Sequence, residues 1–179
     1  ETGHPAYRAD DALWLFPTVY KYVSETGNLA FIDEVIPFAN RDEGTVYEHL
    51  KRAIDFSMNH LGRHGMPAGL YADWNDCLRL GKRGESTFVA FQFYYALKLM
   101  KEFALYRKDN DYVDFITQTM VLYRPLLEQC FNEDRFIRGY TESGLRIGDR
   151  NNKEANMWLN PQSWAVISGF ADKTRAELI

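Results

Sequence analysis

The segment STFVAFQFYYALKLMKEFALYR, residues 86–107, is the one from which the fold is most readily predicted. Its aromatic and aliphatic residues do not keep to one stripe of a helix, but recur on every side of it. A helix of this kind is buried on several sides. A small two-layer bundle rarely needs one, whereas the inner ring of a double-layered helical barrel does. The segment therefore predicts an inner helix of a helical toroid.

Helical patterns continue on the N-terminal side of this segment. Residues 45–61 are apolar on one face and charged on the other, which predicts an amphipathic helix. An apolar run at residues 12–23 is followed by Gly27, a residue that commonly ends helices. Pro17 lies inside this run, so the helix either starts late, with Pro17 in its first turn, or kinks there.

The remaining elements complete a mainly helical chain. Further helices are predicted at residues 29–35, 111–131 and 162–171, and from residue 173 onward. Residues 135–147 alternate weakly and contain two glycines, which predicts one short β-hairpin. The fold class is thus all-α, with about six helices that would form roughly half of a helical barrel. An incomplete ring cannot bury its inner faces alone, so this architecture requires the 179 residues to be part of a longer chain.

Composition excludes several classes of protein. Apolar residues make up 46% and charged residues 26%, as in a globular protein, and the net charge of −4 is unlike that of a nucleic-acid-binding domain. No apolar stretch is long enough to cross a bilayer, and no secretory leader is recognised. The two cysteines lie far apart, so we expect a cytoplasmic protein. No zinc-ligand spacing occurs, and no metal or organic cofactor is implied.

The most unusual residues lie between two predicted helices, in GLYADWNDCL, residues 69–78, here called the acidic loop. The face of Trp74 could stack on a pyranose ring. A carboxylic acid in such less polar surroundings tends to stay protonated, as general acid catalysis at a glycosidic oxygen requires. Two structural readings stay open: Asp76 could cap the next helix, and Trp74 could fill the core. A calcium loop is disfavoured, because the glycine and the distant glutamate of that motif are missing.

Residues 72–78, ADWNDCL, resemble the acid-bearing signature of glycoside hydrolase family 94. This family contains phosphorylases of cellobiose, chitobiose and related β-linked sugars. The resemblance extends over nearly the whole chain, through residues 7–15, 26–37, 43–51, 84–86 and 159–169. It implies an (α/α)6 barrel, of which residues 1–179 would be a single segment truncated at both ends.

The resemblance also implies a mechanism and a set of site residues. Asp76 corresponds to the family's general acid, and Trp74 to a tryptophan that lines the sugar site. Phosphate is the co-substrate and nucleophile, and inverting attack on a β-glycoside gives an α-sugar 1-phosphate. Asp73, Gln162 and Trp164 are further candidates for substrate binding, although packing would explain Gln162 and Trp164 equally well.

Parts of the family site should lie outside these residues. The family's arginine-aspartate sugar-binding segment is expected before residue 1, and its phosphate-binding histidine and threonine-glycine loop after residue 179. The chain would then carry the acid without the phosphate pocket, and be inactive alone. The resemblance also implies a homodimer, whose interface is not identifiable in the sequence.

Two other functions remain open. An inverting hydrolase on the same barrel would need a second carboxylate to activate water, and Asp10, Asp11 and Glu85 are the candidates. A non-catalytic helical module that binds a sugar or a partner protein is the other. Arg138 and Tyr140, on the predicted hairpin, are interpreted as structural.

Overall fold

Helices form most of the structure, a computed structural model that describes residues 7–40 and 42–179. A 3-10 helix at Asp11–Trp14 precedes the first α-helix, and another at Leu29–Asp33 follows it. The α-helices are α1 (Leu15–Thr26), α2 (Val46–Asn59), α3 (Thr87–Arg107), α4 (Asn110–Glu128), α5 (Leu159–Ile167) and α6 (Lys173–Leu178). Within the described residues, no helix is both long and apolar enough to cross a membrane.

Helix α3 is the centre of the fold. Most of its 21 residues are buried, and it packs against α1, α2, α4 and α5. The prediction of a helix buried on several sides is therefore confirmed, and its aromatic residues form much of one continuous core. Ser86 caps the N-terminus, since its hydroxyl accepts a hydrogen bond from the backbone N–H of Val89.

Local capping chemistry sets the ends of α1 and α2. Helix α1 begins late, with Pro17 in its first turn, where a missing N–H costs nothing. It ends at Gly27, whose φ of 68° lies in the left-handed region that favours glycine. Thr45 and Glu48 form a capping box at the start of α2, each side chain bonded to the other's backbone N–H.

Short antiparallel strands connect the helices. They are β1 (Val35–Pro37), β2 (Glu43–Thr45), β3 (Glu85–Ser86), β4 (Phe131–Asn132), β5 (Arg135–Phe136), β6 (Gly139–Tyr140) and β7 (Arg146–Ile147). They pair as β1–β2, β3–β6–β7 and β4–β5. The predicted hairpin at residues 135–147 contains the β6–β7 pair. The sequence predicted only this one hairpin, whereas the described residues form further strand pairs. Strands of two or three residues are too short to produce an alternating pattern, so the sequence did not reveal the others.

The β3–β6 pair brings two distant parts of the chain into close contact. Ser86 lies opposite Gly139 in the register. A Cβ added to Gly139 would lie 2.2 Å from the carbonyl oxygen of Glu85, a backbone atom that cannot move aside. Only glycine therefore allows β6 to approach the start of α3 this closely.

Gly139→Ala is expected to destabilise the protein by about 1–3 kcal/mol, because the methyl group forces β6 away from β3. The unfolding temperature measures the effect. Gly69→Ala is the matched control, since a Cβ there would meet no atom closer than 3.5 Å. Equal unfolding temperatures for the two variants would contradict the prediction.

Candidate functional site

The acidic loop lies between α2 and α3 and is held at both sides by backbone hydrogen bonds. The N–H of Gly69 donates to the carbonyl of Gly84 at 2.7 Å. The N–H of Ala9 donates to the carbonyl of Ala72 at 2.9 Å. The loop is thus fixed against the N-terminal segment on one side and the entry to α3 on the other.

Asp73 points inward from this loop. Its side chain is buried, and both carboxylate oxygens accept hydrogen bonds from Nη2 of Arg138, at 2.7 and 2.6 Å. The hydroxyl of Ser86 donates to Asp73 Oδ2 at 2.6 Å. Asp73 was a candidate for substrate binding. Within the described residues, its carboxylate instead bonds the acidic loop to Arg138 and Ser86.

Two consecutive side-chain turns continue from Asp73. Its Oδ1 accepts a hydrogen bond from the backbone N–H of Asn75 at 2.9 Å. The Oδ1 of Asn75 accepts in turn from the backbone N–H of Cys77 at 3.1 Å. Such turns fix the backbone two residues ahead of the side chain, so Asp76 lies between two fixed points.

Trp74 and Asp76 point outward. The exposed fraction is 62% for Trp74 and 71% for the side chain of Asp76. Asp76 Oδ1 accepts a hydrogen bond from Nε of Arg8 at 2.7 Å. Trp74 therefore does not fill the core, and Asp76 does not cap α3, whose cap is Ser86. The less polar surroundings expected around the acid are not built by the described residues.

A cleft of about 440 Å³ adjoins this loop through Arg8. Its volume falls within the range of small-molecule sites. The wall combines charged and aromatic side chains, which include those of Arg8, Asp11, Phe38, His49, Arg52 and Phe56.

Gln162 and Trp164 both lie on α5 and contribute to its packing. The amide of Gln162 is buried: Oε1 accepts from the N–H of Phe136 at 2.8 Å, and Nε2 donates to the carbonyls of Phe136 and Trp158. Trp164 makes edge contacts with Trp14 and with Phe88. Contact of either residue with a sugar stays a prediction.

The three carboxylates considered for a hydrolase are placed differently. Asp10 is buried and accepts a hydrogen bond from Nε1 of Trp14 at 2.8 Å; burial raises the pKa of Asp10. Glu85 is fully buried, and its Oε1 accepts from the backbone N–H groups of His64 and Met66. Asp11 alone of the three lines the cleft.

Arg138 is the site residue whose contacts the sequence did not reveal. It is fully buried and reaches Asp73 across 65 residues of chain. No local pattern links the two positions. The sequence offered only a general rule, that a buried arginine needs a carboxylate partner, and this rule does not say which carboxylate it is.

The whole chain, residues 1–179, matches the family model described as the catalytic domain of the glycosyl hydrolase 94 superfamily. The chain belongs to this superfamily. The resemblance noted around the acidic loop thus extends to the full length of the chain, as its other motifs indicated.

The proteins similar to this chain include several phosphorylases. An N,N'-diacetylchitobiose phosphorylase of Vibrio proteolyticus is 41% identical over 172 residues, which cover 94% of this chain and 21% of that protein. The Vibrio furnissii protein of the same name is also 41% identical over 172 residues, with the same coverage of 94% and 21%. A solabiose phosphorylase of Paenibacillus borealis is 31% identical over 177 residues, which cover 96% of this chain and 23% of that protein. The chain thus spans about a fifth of the length of these relatives.

Proposed function

We propose that the full-length protein catalyses the inverting phosphorolysis of a β-linked disaccharide, cellobiose-like or chitobiose-like, with Asp76 as the general acid. The observation that carries this proposal is the acidic loop: Trp74 and Asp76 are presented to solvent by a segment whose backbone is firmly held. Similarity to phosphorylases of N,N'-diacetylchitobiose and solabiose supports it.

In the proposed reaction, Asp76 gives its proton to the glycosidic oxygen as the bond from that oxygen to the anomeric carbon breaks. A phosphate oxygen forms a new bond to the anomeric carbon from the opposite face, so a β-glycoside yields an α-sugar 1-phosphate and a free sugar. The guanidinium of Arg8 is placed to bind the carboxylate that remains on Asp76. Trp74 offers its indole face to the sugar ring.

The other carboxylates favour a phosphorylase over a hydrolase. A hydrolase needs a second carboxylate to activate water, whereas phosphate is already anionic. Asp10 and Glu85 are buried and engaged in hydrogen bonds, which leaves Asp11 as the remaining candidate base.

The barrel, the phosphate pocket and the homodimer belong to the same proposal. A central helix α3 buried on several sides suits the inner ring of an (α/α)6 barrel. Large apolar side chains on α5 are exposed, with Leu159 at 71% and Ile167 at 53%. Further helices of the full-length protein would cover them, and would carry the phosphate pocket.

Release of α-sugar 1-phosphate by the full-length protein tests the proposal. β-Linked disaccharides of glucose and of N-acetylglucosamine are supplied with and without inorganic phosphate. We expect α-sugar 1-phosphate from one class of disaccharide, and only when phosphate is present. Free sugars formed at the same rate without phosphate would favour the hydrolase, and Asp11 would become its candidate base. No turnover of any disaccharide by the folded protein would favour a binding module.

A further inference from the structure

We infer that Arg138, Ser86, Asp73 and Asn75 form a positioning relay that sets the place of Asp76, an inference that rests on the proposed function. In this relay Asp73 acts through Asn75 and does not touch the substrate.

Arg138 is the fixed end of the relay. Its backbone N–H donates to the carbonyl of Ile147 at 2.7 Å, and its carbonyl accepts from the N–H of Thr87 at 3.1 Å. The rings of Phe88 and Trp158 lie 5.9 and 5.6 Å from its guanidinium carbon. Both the backbone and the side chain of Arg138 are therefore held in place.

Ser86 joins this end to the central helix. Its hydroxyl accepts from Nη1 of Arg138 at 2.7 Å and from the N–H of Val89 at 3.3 Å, and donates to Asp73. One hydroxyl thus bonds the guanidinium, the first turn of α3 and the acidic loop. Because α3 is the most enclosed helix of the fold, this hydroxyl attaches the acidic loop to the most deeply buried element of the core.

Asp73 and Asn75 fix the backbone on either side of the acid, Asp76. Each accepts a hydrogen bond from the backbone two residues ahead, and Asp76 lies between the two bonded N–H groups. A buried ion pair adds little net stability, because desolvation offsets its attraction. We infer that the ion pair serves to position the acidic loop, since an error of about 1 Å in the place of a catalytic group can lower the rate about 100-fold.

Asn75→Ala in the full-length protein is the decisive variant, because it removes one hydrogen bond of a partly exposed side chain and leaves the buried ion pair intact. With the disaccharide we expect kcat to fall about 10- to 100-fold and KM to change less than about threefold. The unfolding temperature should stay near that of the unaltered protein. Asn75→Ser can accept the same hydrogen bond more weakly and should restore part of the rate.

Asn152→Ala is the matched control, since Oδ1 of Asn152 accepts a comparable bond from the N–H of Asp149 at 2.9 Å in another loop. A dinitrophenyl β-glycoside of the same sugar supplies the second readout, because its leaving group departs without a proton. With this substrate and phosphate, Asn75→Ala should react within about threefold of the unaltered protein, as expected for a loss confined to proton transfer.

Equal losses on the two substrates, or no loss on the disaccharide, would overturn the relay. Asp76→Asn, measured in parallel, distinguishes a failure of the relay from a failure of the proposed function. If Asp76→Asn loses only the disaccharide reaction while Asn75→Ala does not, the relay fails and the proposed function stands. If Asp76→Asn loses neither reaction, the proposed function fails, and the relay with it.

Discussion

Replacement of Asp76 by Asn in the full-length protein is expected to lower kcat for disaccharide phosphorolysis by about 10²- to 10⁴-fold, the usual contribution of a general acid. The amide has the shape of the acid and can still accept the hydrogen bond from Arg8, but it has no proton to give to the leaving oxygen. KM should change little, because the lost interaction belongs to the transition state. Initial rates of α-sugar 1-phosphate formation measure the effect.

Asp11→Asn is the informative comparison for this variant. Asp11 lines the adjoining cleft and is the one hydrolase candidate that faces it. In a phosphorylase its replacement should reduce the rate far less than that of Asp76. An Asp76→Asn protein that kept more than about a tenth of the rate would lie outside the range of a general acid, and the assignment would be wrong.

Replacement of Arg138 by Met is expected to lower the stability of the full-length protein by about 3–5 kcal/mol, as when one partner of a buried ion pair is removed. The variant leaves the buried carboxylate of Asp73 without its cation, and the hydroxyl of Ser86 loses the stronger of its two donors. Thermal and denaturant unfolding of the full-length protein measure the loss.

Arg146→Met is the matched control for this loss. Arg146 lies on the neighbouring strand β7, has 45% of its side chain exposed and pairs with Asp149 at 3.5 Å. Only 7% of the Asp149 side chain is exposed, but its carboxylate keeps two hydrogen bonds from Asn151, so loss of the half-exposed cation should cost only about 1 kcal/mol. Adding Asp73→Asn to Arg138→Met should recover part of the stability, because the uncompensated charge is then gone. Similar stabilities for Arg138→Met and Arg146→Met would show that the buried pair has no special role.

The sequence predicted those parts of the structure that depend on neighbouring residues. The apolar residues of α3 surround the whole helix, which predicts burial on several sides, and Pro17 and Gly27 mark the ends of α1 by backbone chemistry that any helix obeys. The family motif singled out the acidic loop in the same way, because its residues are contiguous.

Contacts between distant residues were not predictable. Asp73 and Trp74 are adjacent in the sequence, yet one points into the core and the other into solvent. Asp73 points inward because it bonds Arg138, whose position depends on the pairing of β3 with β6. Gln162 is a similar case, since its amide is used by a backbone segment 26 residues away. A hydrogen bond of this kind leaves no periodic trace in a sequence.

The long separation between Asp73 and Arg138 also bears on the order in which the chain folds. The helices form from contacts close along the chain, whereas this ion pair closes a loop of 65 residues and cannot form until α3, α4 and the strands after them have come together. Contacts of high sequence separation carry a larger loop-closure entropy and tend to form late. A refolding protein should therefore regain its helicity before the acidic loop takes its final shape.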